Sequence, residues 1–176
     1  TNPPETNPPE TTPETKPLFP FSDVPQGNYF RDAVEYVYKQ GIMEGVSDTM
    51  FDIYGTMTRG MLVTVLHRMA GSPATQATTS FVDVPQDAYY AKAVAWAQAN
   101  DLVNGVSEDR FDPDDEMTQQ EFVTLLYRYC IYYCDLTNIK PGSLDAFEDA
   151  DSIVYYAQTP FAWCAVWEPA APSPAL

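Results

Sequence analysis

Residues 21–52, FSDVPQGNYFRDAVEYVYKQGIMEGVSDTMFD, return sixty residues later as 81–112, FVDVPQDAYYAKAVAWAQANDLVNGVSEDRFD. Phe21, Asp23, Val24, Pro25 and Gln26 become Phe81, Asp83, Val84, Pro85 and Gln86, and Gly45, Val46, Ser47, Phe51 and Asp52 become Gly105, Val106, Ser107, Phe111 and Asp112. The register continues without a gap, since Met57, Thr58, Thr64, Leu66 and Arg68 become Met117, Thr118, Thr124, Leu126 and Arg128. Chance does not place so many identities at one offset. A period of this size marks a supersecondary unit that buries its apolar face against its neighbours.

Each unit carries the same local code. After the FxDVP turn, Tyr29, Ala33, Val34, Val37 and Tyr38 fall at helical spacing and Gly41 stops the run; in the second copy Tyr90, Ala93, Val94 and Ala97 do the same, ending near Asn100. A loop follows, in which Gly45 and Gly105 are expected at backbone angles closed to other residues. Thr58 and Thr118 are N-caps of a second helix, and Glu121 completes a capping box in the second copy. Met61, Leu62, Val65, Leu66 and Met69 make an apolar stripe, answered by Phe122, Leu125, Leu126, Tyr129 and Cys130, so the helices are expected to pack on one another. Gly71 and Pro73 end the first of these helices.

A third copy opens at Phe147, with Asp149, Tyr155 and Tyr156 matching Phe81, Asp83, Tyr89 and Tyr90. Pro160 is expected to interrupt its helix, and at this offset the counterpart of Thr118 falls past Leu176. The fold class is therefore all-α, a tandem of helical hairpins with an incomplete third repeat. The organisation is a Pro/Thr-rich linker at 1–18, repeats at 19–73 and 79–135, a partial repeat at 145–167 and a Pro/Ala-rich tail at 168–176. The abrupt start in Thr-Asn-Pro-Pro reads as a fragment or mature segment.

Composition removes several classes of function. A net charge of -16 excludes a general electrostatic grip on nucleic acid, which needs Lys and Arg to neutralise phosphates. No apolar run reaches the roughly 18 residues that span a bilayer. Cys130, Cys134 and Cys164 are an odd number, and His67 is the sole histidine, so buried thiols are favoured over a disulfide framework or a metal site. The acidic run from Asp112 fails as a calcium loop because its sixth and twelfth positions are Met117 and Val123. No nucleophile, metalloprotease or phosphate-loop motif assembles, so no catalytic residue, metal or cofactor is assigned, and His67, matched by Tyr127, reads as a packing residue.

The FSDVP and FVDVP turns, the Ala-Val core of the first helix, the Gly-Val-Ser to Phe-Asp loop and Met57-Thr58-Arg59 together resemble the S-layer homology repeat over residues 19–163. The resemblance implies a pseudo-threefold helical bundle with the second helices at its centre. It also implies grooves between repeats that bind a secondary cell-wall polysaccharide linked to peptidoglycan, commonly through an acidic, pyruvate-ketal-bearing sugar. The chain is then a non-catalytic anchoring module, extracellular and on the bacterial cell surface.

Carried over residue by residue, the ligand-binding set is Thr58, Arg59, Asp23, Asp83, Gly45, Gly105, Trp96 and Gln119. A guanidinium takes a carboxylate in two parallel hydrogen bonds, and unpaired amides at the same helix N-terminus would add partial positive charge. Gln119 stands where the second repeat should have an arginine, leaving a hydrogen bond to a sugar hydroxyl. Asp23 and Asp83 touch the sugar, orient the neighbouring arginine or cap the opening turn; Trp96 either stacks on a sugar ring or packs in the core; Gly45 and Gly105 either admit ligand or serve the turn alone. The competing reading is an acidic helical protein-interaction module that binds another polypeptide or self-associates into a surface layer.

Overall fold

The computed structural model describes residues 19–166, so the linker assigned to 1–18 and the tail assigned to 168–176 lie outside the described residues. Five α-helices follow in order: α1 (Arg31–Lys39), α2 (Arg59–Met69), α3 (Ala91–Ala99), α4 (Gln119–Arg128) and α5 (Tyr155–Cys164). A π-helical turn, Tyr129–Tyr133, extends α4, and 3₁₀ turns at Leu144–Ala146 and Ala150–Ser152 lead into α5. Among the described residues there is no strand, only isolated bridges at Ser47–Met50 and Thr58–Glu116. The protein is all-α. No helix among the described residues is long and apolar enough to cross a membrane.

Local signals place the helix ends. The Thr58 side chain accepts from the Met61 amide, and Thr118 with Glu121 forms the reciprocal capping box. Gly41 and Gly71 follow α1 and α2 with positive φ, the left-handed turn that closes a helix. Pro160 does not interrupt α5, contrary to expectation. It lies buried inside the helix, where burial of the surrounding face, Ala157, Phe161, Ala162 and Trp163, offsets one missing backbone hydrogen bond.

The chain divides into two compact units, one ending at Tyr54 and the other beginning at Gly55, so the boundary falls inside the first sequence repeat, between its loop and its second helix. In the first unit Phe21, Val24, Val34 and Tyr38 form a small core, with Phe21 edge-on to Tyr38 and Phe51 at 5.0 and 5.2 Å. In the second, α2 packs on α3 and α4 on α5. Its main core gathers Leu62, Val63, Leu66, Val94, Trp96, Leu102 and Phe111, while Ile153, Ala157 and Phe161 form a smaller cluster against Val123, Leu144 and Phe147.

Several expected core positions differ. Tyr29 is almost fully exposed, because α1 begins at Arg31 and Tyr29 lies in the turn before it. Ala33 is exposed as well, whereas Ala93 is buried. Met69 and Phe122 are exposed, while Val63, outside the anticipated stripe, is fully buried: α2 is covered on more than one face and α4 on fewer. Tyr156 is exposed where its counterpart Tyr90 is buried, whereas Tyr155 and Ala157 follow their counterparts, exposed Tyr89 and buried Ala91. Cys134 is exposed and Cys130 and Cys164 are half-buried, so the thiols are not uniformly interior.

Candidate functional site: a cleft at the start of the second helix

Two aspartates hold equivalent loops, one in each unit. The Asp83 carboxylate accepts from the backbone amides of Phe111 at 2.9 Å and Asp112 at 2.8 Å, and Asp23 does the same for Phe51 at 2.9 Å and Asp52 at 2.7 Å. Burial alone would raise the Asp83 carboxyl, but the Phe111 and Asp112 amides and the nearby Arg110 guanidinium outweigh it and hold it below the usual carboxylate range. The Phe51 amide lowers Asp23 in the same way, against a smaller opposing effect of burial. Asp52 and Asp112 pay for this arrangement with positive φ, which the paired amides make tolerable. Each carboxylate thus acts as a staple across its own loop.

Gly45 and Gly105 complete the loops at φ +80° and +75°. A Cβ on either would stand 2.5 Å from the ring of Phe21 or Phe81, so both the angle and the space require glycine. The sequence expectation of a closed backbone angle holds at both positions. Asp23 and Gly45 belong to the unit that ends at Tyr54; Asp83 and Gly105 belong to the other.

In that second unit the start of α2 meets the loop that Asp83 holds. The Arg59 Nε donates to the Phe111 carbonyl at 2.8 Å, its guanidinium carbon lies 5.0 Å from the centre of the Phe111 ring, and its Nη1 is 3.4 Å from Glu121 Oε1. The side chain is 12% exposed. The ion pair is loose, since charge-assisted N–H···O contacts settle near about 2.7–2.9 Å. Glu121 Oε2 is meanwhile held by the Thr118 amide and hydroxyl, so the capping box fixes the carboxylate that faces Arg59.

Around Arg59 opens a cleft of about 260 Å³, with Asn104, Gly105, Glu121, Thr124 and Arg128 in its walls and Tyr156 at its edge. Two cations, a carboxylate, an amide and a hydroxyl therefore converge on one apolar-floored cavity. Such a set can take an anionic group on the guanidinium end and hydroxyls on the neutral polar groups. It holds no activated nucleophile. Among the described residues no group of His, Cys, Asp and Glu has metal-ligating geometry.

The helix N-terminus contributes differently from the expectation. The Arg59 and Gly60 amides donate to the Asp115 and Pro113 carbonyls at 3.1 and 2.8 Å, and the Met61 amide to Thr58 Oγ1, so these three amides are already bonded within the chain. Any anion at this cleft meets the Arg59 side chain and not a set of open amides. Trp96 is also corrected as a sugar plate: it is 3% exposed, packed between His67 at 5.2 Å and Tyr133 at 5.1 Å, and its indole closes the core instead. Thr58 is engaged as a cap, and Gln119 is exposed at the first position of α4.

Sequence reasoning missed Arg128, Asn104 and the second role of Glu121. Arg128 had a signal, because Arg68 precedes it by one repeat, and a cation kept at the end of both second helices invites a question about what it faces. Glu121 had none beyond its capping register.

A model of the S-layer homology domain matches residues 20–60 and 80–123. A cell surface protein of Thermoanaerobacter kivui is 29% identical over 114 residues, 62% of this chain and 15% of that protein. An endoglucanase of Bacillus sp. (strain KSM-635) is 26% identical over 140 residues, 80% of this chain and 15% of that protein. The surface-layer 125 kDa protein of Lysinibacillus sphaericus is 26% identical over 132 residues, 74% of this chain and 10% of that protein. The chain spans no more than 15% of the length of these relatives.

Proposed function

This chain belongs to the S-layer homology family, and from that membership we infer that it is the extracellular anchoring module of a bacterial surface protein, binding an acidic secondary cell-wall polysaccharide at the Arg59 cleft. S-layer homology repeats anchor proteins to the cell wall and are not catalytic. Relatives named for a surface layer and for a glucanase are consistent with one anchor serving different attached proteins. The repeats are taken to be arranged about a pseudo-threefold axis with the bounds given above, and pyruvate-ketal sugars are the ligand class.

The observation that carries this reading is the convergence of Arg59 and Arg128 on one cleft of a chain whose net charge is -16. A protein so acidic repels an anionic polymer at long range and must hold it by directed contacts. The loose Arg59–Glu121 pair gives the mechanism its form. With Nε committed to Phe111, the terminal edge of the guanidinium faces a ligand carboxylate, which competes with Glu121 for it.

Retention on isolated cell-wall sacculi, with and without chemical removal of pyruvate, tests the reading. Arg59→Ala is expected to cost about 1.5–3 kcal/mol of binding. Arg59→Lys recovers only part, because lysine keeps the charge and loses both the fork and the hold on Phe111. Retention indifferent to depyruvylation and to Arg59→Ala would overturn the assignment. The second reading, self-assembly, draws on the exposed aromatics Phe30 and Tyr36 of the α1 segment, and concentration-dependent sedimentation would favour it.

A further inference from the structure

A second cavity adjoins the first, and Asn104 and Arg128 are walls of both. Its other walls are Ala99, Asn100, Asp101 and Tyr132. Its lining is mostly polar, and Tyr132 is 63% exposed, a large aromatic surface turned to solvent at the rim.

The elements that carry these residues are held firmly. Tyr132 lies four residues after Arg128, so both side chains share one side of the helix and the π-helical turn that extends it. That turn is closed by the Cys134 amide donating to the Tyr129 carbonyl at 3.1 Å, by Tyr129 stacked on Tyr133 at 5.4 Å, and by Tyr133 set edge-on to buried Trp96 at 5.1 Å. On the facing wall, the Asn100 side chain donates to the Trp96 carbonyl at 2.8 Å and Asp101 turns the chain at φ +58°. Arg128 spans the junction, with Nη1 3.3 Å from the Leu102 carbonyl and five N–H donors in all.

We propose that this second cavity is a neighbouring saccharide subsite, taking the next sugar of a polymer whose acidic residue sits on Arg59, with Tyr132 stacking on the ring and Arg128 donating at the junction. The proposal rests on the reading of the Arg59 cleft as a carbohydrate site. Its particular support is that Asn104 and Arg128 wall both cavities. A sugar offers hydroxyls at its edge and a C–H face above; polar groups beside an exposed phenol match both. The feature is confined to the second repeat, since the position equivalent to Tyr132 is Ser72.

Calorimetry with two probes separates the outcomes: a pyruvate-ketal monosaccharide, and a trisaccharide ending in the same ketal sugar. The trisaccharide is expected to bind about tenfold more tightly to the unmodified chain, an increment equal to roughly 1.4 kcal/mol. Tyr132→Ala is expected to remove most of that increment and leave monosaccharide affinity unchanged, while Arg128→Gln, which alters a wall of both cavities, and Arg59→Ala each weaken both probes. Equal affinity for the two probes, or a Tyr132→Ala protein that keeps the full increment, overturns the subsite while the Arg59 reading stands. Absence of monosaccharide binding, with wall retention insensitive to pyruvate, overturns both. Tyr132 is exposed, so its variant is expected to fold, and an unchanged melting midpoint checks that.

Discussion

Tyr36 and Trp96 occupy equivalent places in the two copies of the repeat, yet Tyr36 is 62% exposed and Trp96 is 3%. The same holds six residues earlier, at the N-cap positions, where Phe30 is exposed and its counterpart Tyr90 is buried. The loops that follow are nonetheless superimposable in their bonding: Asp23 and Asp83 bind equivalent amides, and Gly45 and Gly105 take the same left-handed turn. The helices differ because α3 receives α2. Gly60 leaves room for the Tyr90 ring, which would stand 2.9 Å from a Cβ there, and His67 covers Trp96. Loop geometry is a property of the repeat, and burial is a property of the neighbour.

The contrast is broken most severely by truncating its two ends. Trp96→Ala is expected to destabilise by about 3–5 kcal/mol through a core cavity, whereas Tyr36→Ala should stay within about 0.5 kcal/mol. Denaturant midpoints measure both, and similar losses would mean that exposure does not report the contact. Next come the glycines: Gly105→Ala and Gly45→Ala should each cost about 2–4 kcal/mol, from positive φ together with the clash against Phe81 or Phe21. Here the two repeats should behave alike. A mild effect at one of them alone would show that its loop relaxes.

A smaller effect separates the aspartates. Asp83→Asn is expected to cost about 1.5–3 kcal/mol, the scale of hydrogen bonds to a charged group, and Asp23→Asn less, because Met50 stands where Arg110 supports Asp83. Both carboxyls are lowered in the folded state. Their contribution is therefore complete above the ordinary aspartate value of about 3.9 and declines as pH falls through the lowered values. Acid titrations of stability should show this loss, and Asp83→Asn should flatten it. The smallest effect is at the caps: Thr58→Ala and Thr118→Ala should each cost about 1 kcal/mol, with Thr118→Ala also removing one of the two bonds that hold Glu121 Oε2 beside the Arg59 cleft. Tighter or weaker glycan binding in that variant would reveal the linkage; no change would remove Glu121 as a competitor.

Much of the site's framework was legible before any coordinates. Thr58, Thr118 and Glu121 announced caps because capping is decided within four residues, and Gly45 and Gly105 announced turns because a positive φ is a local demand. Arg59 was legible as a cation at a helix start. Its partners were not, since Phe111 and Glu121 lie 52 and 62 residues away and nothing in their own registers marks them as neighbours. For the same reason the bonded state of the Arg59 and Gly60 amides was invisible: Asp115 and Pro113 reach them from the next repeat.

The run of residues by itself determined the helices, their caps, the glycine turns and the repeat, because each depends on interactions spanning a handful of positions. Only tertiary structure decided that Trp96 is core and not a ligand plate, that the compact units part at Tyr54 and not at a repeat boundary, and that Arg59 shares its cleft with Glu121 and Arg128. A repeat presents equivalent positions twice, and packing against different neighbours gives them different work.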